Sequence, residues 1–237
     1  MIRSKREPVV VFDDVITELK ANANSSAVEG MAKFGINPTN TLGVSIPKLR
    51  GIGKRIGRDH DLARKLWNSG IHEARILASL VDNPEQVDEE QMDRWVEDFD
   101  SWDICDQVCS NLFDKTVLAH KKAKEWARRE GEYVRRAGFV LMATLAVHDK
   151  FAGNRDFEAF FPLIKAKSTD ERNFVRKAVN WALRQIGKRN LALNRKAVAL
   201  AREIQKLDSR SARWVASDAL RELSNEKTIK RLRTRSR

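Results

Sequence analysis

Apolar residues recur every three to four positions along most of the chain, the spacing of one buried face on a helix. The pattern predicts helices near residues 13–23 and 26–34, then a connector rich in Gly, Asn, Pro and Thr over 35–46. Pro47 suits the first turn of a helix reaching about Ile56. Further helices are expected over 59–68, 71–81, 88–99 and 101–113, with Asn83-Pro84 as a break. Later ones begin near 116, 132, 156, 169, 193 and 209. The second helix of each pair starts near 71, 101, 131, 170 and 209, an interval of 30 to 39 residues that suits a helical repeat. Val134-Arg-Arg-Ala137 recurs one repeat later as Val175-Arg-Lys-Ala178. The expectation is an all-α chain, stacked as an α-solenoid with a concave face, and the alternative is an irregular helical bundle. No linker divides residues 1–237, so one domain is expected.

Composition supports the helical reading and narrows the partners. Five Pro, 11 Gly and a single Tyr are too few for a strand-rich fold. A 42% apolar share is enough for a sizeable core, yet no apolar run approaches the ~18 residues of a membrane helix. No signal peptide is evident, and Cys105 and Cys109 are too few for a disulfide framework. A soluble protein of a reducing compartment is therefore expected. The formal charge is +12. Residues 82–106 hold eleven acids and one base, Arg94, so −10 sits there and +22 on the rest. A basic surface of that size suits an anionic partner, nucleic acid first. Residues 227–237 carry six bases and no acid. They read either as a basic, frayed tail from about 226 or as a nucleic-acid arm.

Metal and nucleotide chemistry find no support. The four histidines are scattered, neither cysteine has a His at zinc-ligand spacing, and no phosphate-cradling glycine motif occurs. No cofactor is expected. Ser101-Trp102-Asp103-Ile-Cys-Asp106 is more informative. Ser101 suits a helix N-cap and Asp103 its first turn. Asp106 lies one turn beyond Trp102, on a face continued by Cys109 and Phe113. A carboxylate there is costly unless a neighbouring helix satisfies it or chemistry uses it. Arg135 and Arg136 open a helix that is apolar from Ala137 to Val147, and would bind phosphate or pair with the acids of 82–106. Lys177, Trp181, Arg184 and Lys188 share one helix face, either a basic stripe with one aromatic or a core Trp flanked by surface cations. Arg210, Arg213, Ser217 and Arg221 form a second stripe or a solvated face.

Together these stretches resemble the AlkD-type DNA alkylation repair glycosylases, built from HEAT-like repeats. The resemblance is carried by Leu42-Gly-Val-Ser-Ile-Pro-Lys-Leu-Arg50, Leu66-Trp67 with His72-Glu73, Ser101-Trp102-Asp103-x-x-Asp106, Arg135-Arg136-Ala137 and Arg176-Lys-Ala-Val-Asn-Trp181-Ala-Leu-Arg184, from near residue 30 to about 190. Phe34 and Ser45 depart from it, standing where relatives carry Tyr and Gln. The resemblance implies hydrolytic release of N3- and N7-alkylated purines from duplex DNA by a monomer with a concave basic face. It implies a cytoplasmic location, nucleoid-associated if bacterial. Asp106 matches the catalytic carboxylate, Trp102 and Trp181 the sugar-facing aromatics, and Arg136 the phosphate-binding Arg. The second repeat helices leave Arg135, Lys177, Arg184, Lys188 and Arg213 as further DNA contacts. Two rivals remain on the same scaffold: a non-catalytic binder of damaged or branched DNA, and a protein-interaction scaffold. An Asp106 open to a cleft favours catalysis; one capped by a neighbour favours binding alone.

Overall fold

In the computed structural model, which describes residues 11–235, the apolar stripes become helices and no strand forms among the described residues. The chain divides into two units, the first ending at Gln86 and the second beginning at Val87. The first holds α1 (Phe12–Ala21), α2 (Ser25–Lys33), α3 (Ile46–Ile56), α4 (His60–Asn68) and α5 (His72–Val81). The second holds α6 (Glu89–Glu97), α7 (Trp102–Asn111), a 3-10 turn (Phe113–Lys115), α8 (Ala119–Trp126), α9 (Glu132–His148), α10 (Asn154–Glu158), α11 (Phe161–Lys167), α12 (Asn173–Gly187), α13 (Leu191–Gln205), α14 (Arg210–Leu223) and α15 (Glu226–Arg235). Side-chain caps start several of them: Asp59 accepts from the Leu62 amide, Asp88 from Gln91 and Asn190 from Leu193. Ser101 does occupy the N-cap of α7, but through its carbonyl, which accepts from the Cys105 amide, rather than its side chain. No described helix is long and apolar enough to cross a membrane.

Glu73 organises the first unit. Its buried carboxylate accepts from the amides of Leu42, Gly43 and Val44 at 2.8, 2.6 and 3.2 Å. This clasps the 42–50 stretch onto α5. Gly43 has φ +79°, and a Cβ there would lie 2.2 Å from the Asn24 carbonyl oxygen, so only glycine fits. These two motifs are thereby explained by structure alone.

In the second unit α7, α9, α12 and α14 lie side by side in that order, while α8 packs on α9 and α13 on α12 and α14. Cys105 and Cys109, both buried free thiols, reach the carbonyls of Tyr133 and Ala137, so α7 and α9 run parallel in register. Every residue of α9 from Val134 to Ala146 is buried. Phe113 packs with Trp126, Trp95 and Phe99 at centroid distances of 5.7, 6.2 and 6.5 Å. The acidic stretch is consumed locally: buried Lys122 of α8 meets Asp93 at 2.7 Å and Glu89 at 2.9 Å, and Arg129 meets Glu97 at 2.5 Å.

Two expectations about elements are corrected. The helix anticipated from about 156 is split into α10 and α11, because Pro162 has no amide to continue α10 and starts α11 instead. The basic stretch from about 226 is not frayed but helical to Arg235, because Thr228 and Leu232 are buried where α15 packs on α13 and α14. Residues 236–237 lie outside the described residues.

Candidate nucleic-acid interface and catalytic carboxylate

The N-terminal halves of α7, α9 and α12 meet at one guanidinium. Arg136 donates from Nε to Asp106 Oδ1 at 3.0 Å and from Nη2 to Asp106 Oδ2 at 2.8 Å, a bidentate pair. Its Nη1 donates to the Phe174 carbonyl at 2.6 Å. The Arg136 side chain is 7% exposed and that of Asp106 20% exposed, so Asp106 is not sealed from solvent. Burial pushes the Asp106 carboxyl above its ordinary range, and the attraction of Arg136 offsets only part of that.

Trp102 opens α7 one turn before Asp106 and is half-buried. Asp103 sits in the first turn, as expected. Trp181 is also half-buried, on α12, about 10 Å along the helix from Phe174 at 1.5 Å per residue. No hydrogen bond or ring contact ties Trp181 to Asp106 or Arg136 among the described residues. The structure therefore joins Asp106 and Arg136 directly, with Trp102 on the adjoining turn and Trp181 farther along the same layer. Cys109 and Phe113, expected on the same face, turn into the core.

The remaining cations sort by what they touch. Arg135 is buried, with Asp170 at 2.8 Å, Glu130 at 2.7 Å and the Arg129 carbonyl at 2.8 Å. Each of its three nitrogens is bonded inside the fold, so Arg135, expected as a DNA contact, is not presented as a free cation. Burial raises Asp170, but hydrogen bonds from Arg172 and Arg135 outweigh it and hold the carboxyl at about 2. Arg184 and Lys188 both reach Glu222 at 2.7 Å, and Arg184 also lies 3.6 Å from Asp218. The stripe on α12 is thus neutralised over its second half by acids of α14. Lys177 is exposed and lacks an ion pair among the described residues. Arg213 is exposed and meets Asp208 at 3.3 Å.

Sequence reasoning missed four residues near these. Tyr133 stacks on Phe174 at 5.9 Å, beside Arg136, and Arg176 lies 5.2 Å over the Trp214 ring, which is 39% exposed. The signal for Tyr133 was its place three residues before Arg136, hence on the same helix face. Trp214 sits inside the second basic stripe. No cluster of three metal-ligating side chains occurs among the described residues.

The sequence profile of the family described as DNA alkylation repair enzyme matches residues 15–233. Two curated relatives cover 84% of this chain and are covered over 88% of their own. They are the uncharacterized proteins Lin0241 of Listeria innocua, 24% identical over 203 residues, and Lmo0209 of Listeria monocytogenes, 25% identical over 205. Among solved structures, the chain matches a member of a family related to the HEAT-like repeat DNA glycosylases with affinity for branched DNA structures. The TM-score is 0.75 at 19% identity, over 90% of this chain and 96% of that one. That likeness establishes the HEAT-like fold.

Proposed function

The chain belongs to the DNA alkylation repair enzyme family, and from that premise we propose that it is a monomeric DNA glycosylase. It hydrolyses the N-glycosidic bond of N3- and N7-alkylated purines in duplex DNA, with Asp106 as the catalytic carboxylate. The observation that carries the reading is the bidentate Asp106–Arg136 pair beside Trp102, with the Asp106 side chain 20% exposed.

The chemistry follows from charge. An N3- or N7-alkylpurine is already cationic and leaves without a general acid. Positive charge then develops on the sugar, and a carboxylate in a partly desolvated notch stabilises it and orients the attacking water. In the free protein Arg136 supplies the cation that Asp106 needs. When DNA binds, a backbone phosphate draws the guanidinium away and the oxocarbenium-like sugar takes its place against the carboxylate. Each anion keeps a cation throughout, so the exchange avoids a bare buried charge. Half-buried Trp102 and Trp181 offer ring faces to the same positive sugar.

One observation favours a second reading. Both Asp106 oxygens are taken by Arg136, so the carboxylate is capped in the free protein. If the cap stays in place on DNA, the protein is a non-catalytic binder of damaged or branched DNA. Release of free 7-methylguanine from methylated duplex DNA by the purified protein separates the two: release supports the glycosylase, and tight binding without release supports the binder.

Binding to duplex DNA should weaken steeply with salt. About five neutralised phosphates give a slope of log K on log salt near −4 to −5. Arg136→Ala should weaken binding and Lys177→Ala should reduce the slope by about one. Arg184→Ala should leave the slope nearly unchanged, because Glu222 already neutralises that guanidinium. Fluorescence anisotropy across a salt series checks all three. A slope near zero would leave the protein-scaffold reading ahead.

A further inference from the structure

At the other end of the same helices lies a basic cavity that the proposed reaction does not use. It measures about 440 Å³ and is lined by Lys150, Lys188, Arg189 and Arg231 together with Gln185 and Asn190, and no acid lines it. From Arg136 to Val147 on its rim is ~16 Å along α9, at 1.5 Å per residue.

Part of this charge has a structural use. The carbonyl ends of α9 and α12 point here, and Arg189 donates to the carbonyls of Ala146 and Ala152 at 3.2 and 2.8 Å. Lys150 donates to the Val147 carbonyl, and Lys188 is neutralised by Glu222. The nearby Asp149 is occupied, by His120 at 2.9 Å and by the amides of Phe151 and Ala152. Arg231 of α15 is exposed and has no acidic partner among the described residues. Each helix C-terminus is worth about −0.5 charge. Two of them offset roughly one of the three remaining cations, so the cavity is left electropositive.

Two further features identify the anion. Phe151, next to Lys150, is fully exposed at 101%, and Val147 on the rim is 39% exposed. An aromatic ring standing free beside a positive cavity roomy enough for a stretch of sugar-phosphate backbone suits nucleic acid with an accessible base face, where stacking does not depend on sequence. A continuous duplex hides its base faces, whereas a branch point exposes them. On α12 between Phe174 and this cavity, Arg184 is already paired with Glu222 and Asp218, so the free positive charge is not continuous along that helix.

We infer that this cavity is a second DNA site, in which Lys150, Arg189 and Arg231 hold the backbone of a second duplex arm and Phe151 stacks on the base pair exposed at the branch. This rests on the DNA-binding reading of the protein. The test measures anisotropy of the full chain on an unbranched duplex and on a three-way junction of the same arms. Lys150→Glu/Arg231→Glu should weaken junction binding at least tenfold and lower its salt slope by about two. Phe151→Ala should weaken junction binding about five- to tenfold with an unchanged slope. Both variants should bind the unbranched duplex, and unfold thermally, like the wild type. An unchanged junction affinity, or an equal loss on both DNAs, would overturn the second site while leaving the first intact. Wild-type protein that bound neither DNA would overturn both readings together.

Discussion

Replacing Asp106 with Asn is expected to cut release of 7-methylguanine from duplex DNA by about 10²–10³-fold, the usual loss when one preorganised electrostatic group is removed. Binding should survive, because the substitution keeps the Arg136 guanidinium that meets the phosphate and weakens the pair that holds it in the free protein. Trp102→Ala or Trp181→Ala should cost less, since a cation–π contact is worth about 0.5–2 kcal/mol, or roughly two- to thirtyfold in rate. Asp103→Asn should cost little, because a carboxylate in a first helical turn contributes ~0.3–1 kcal/mol to stability and nothing to the sugar. The acid limb of the pH profile gives an independent check. Burial raises the Asp106 carboxyl despite Arg136, so the ionised form disappears as pH falls through a value above the ordinary carboxylate range. Excision should fall there rather than near pH 4. Wild-type rates from Asp106→Asn would show that Asp106 is not the catalytic carboxylate, with the fold and the excision reaction left standing.

A large stability effect is expected from Gly138→Ala. A Cβ at this position of α9 would lie 2.3 Å from the Ala127 nitrogen, 2.8 Å from its Cα and 2.9 Å from the Ala123 oxygen. All three are backbone atoms at the end of α8, so no side chain can rotate aside. Pushing the helices apart costs at the upper end of overpacking, about 3 kcal/mol, of which better helix propensity returns at most about 1. A net loss of 2–3 kcal/mol lowers the melting midpoint by roughly 5–10 °C in a domain of this size. Excision should fall as well, because Gly138 lies half a turn beyond Arg136 and moving α9 disturbs the pair with Asp106. An unchanged midpoint would mean that α8 and α9 tolerate a wider spacing than this packing implies.

The helical order was legible because burial periodicity is local. Second helices expected to start near 71, 101, 131 and 209 begin at His72, Trp102, Glu132 and Arg210. The one near 170 begins at Asn173, because Asp170 instead ties down the loop through Arg172 and Arg135. The last helix was not legible. Its bases swamp the few residues that anchor it, and Leu232 acquires a partner only when α13 and α14 fold beneath it.

The same division runs through the candidate site. Sequence alone determined which helix turns carry Trp102, Asp106, Arg136 and Trp181, since a helix fixes the face of each residue from its number. It also determined that the chain is basic outside one acidic stretch. Only the tertiary structure decided how that charge is spent. Arg135 and Arg136 are neighbours in sequence, yet one turns to Asp170 and Glu130 and the other to Asp106. Arg184 and Lys188 lose their free charge to Glu222, and the acids of α6 lose theirs to Lys121, Lys122 and Arg129. Apart from Glu130, five residues before Arg135, each partner lies about 30 to 40 residues away, on the neighbouring repeat or the paired helix. Periodicity says which face of a helix a charge occupies; only packing brings up the opposite charge that leaves it paired or open to DNA.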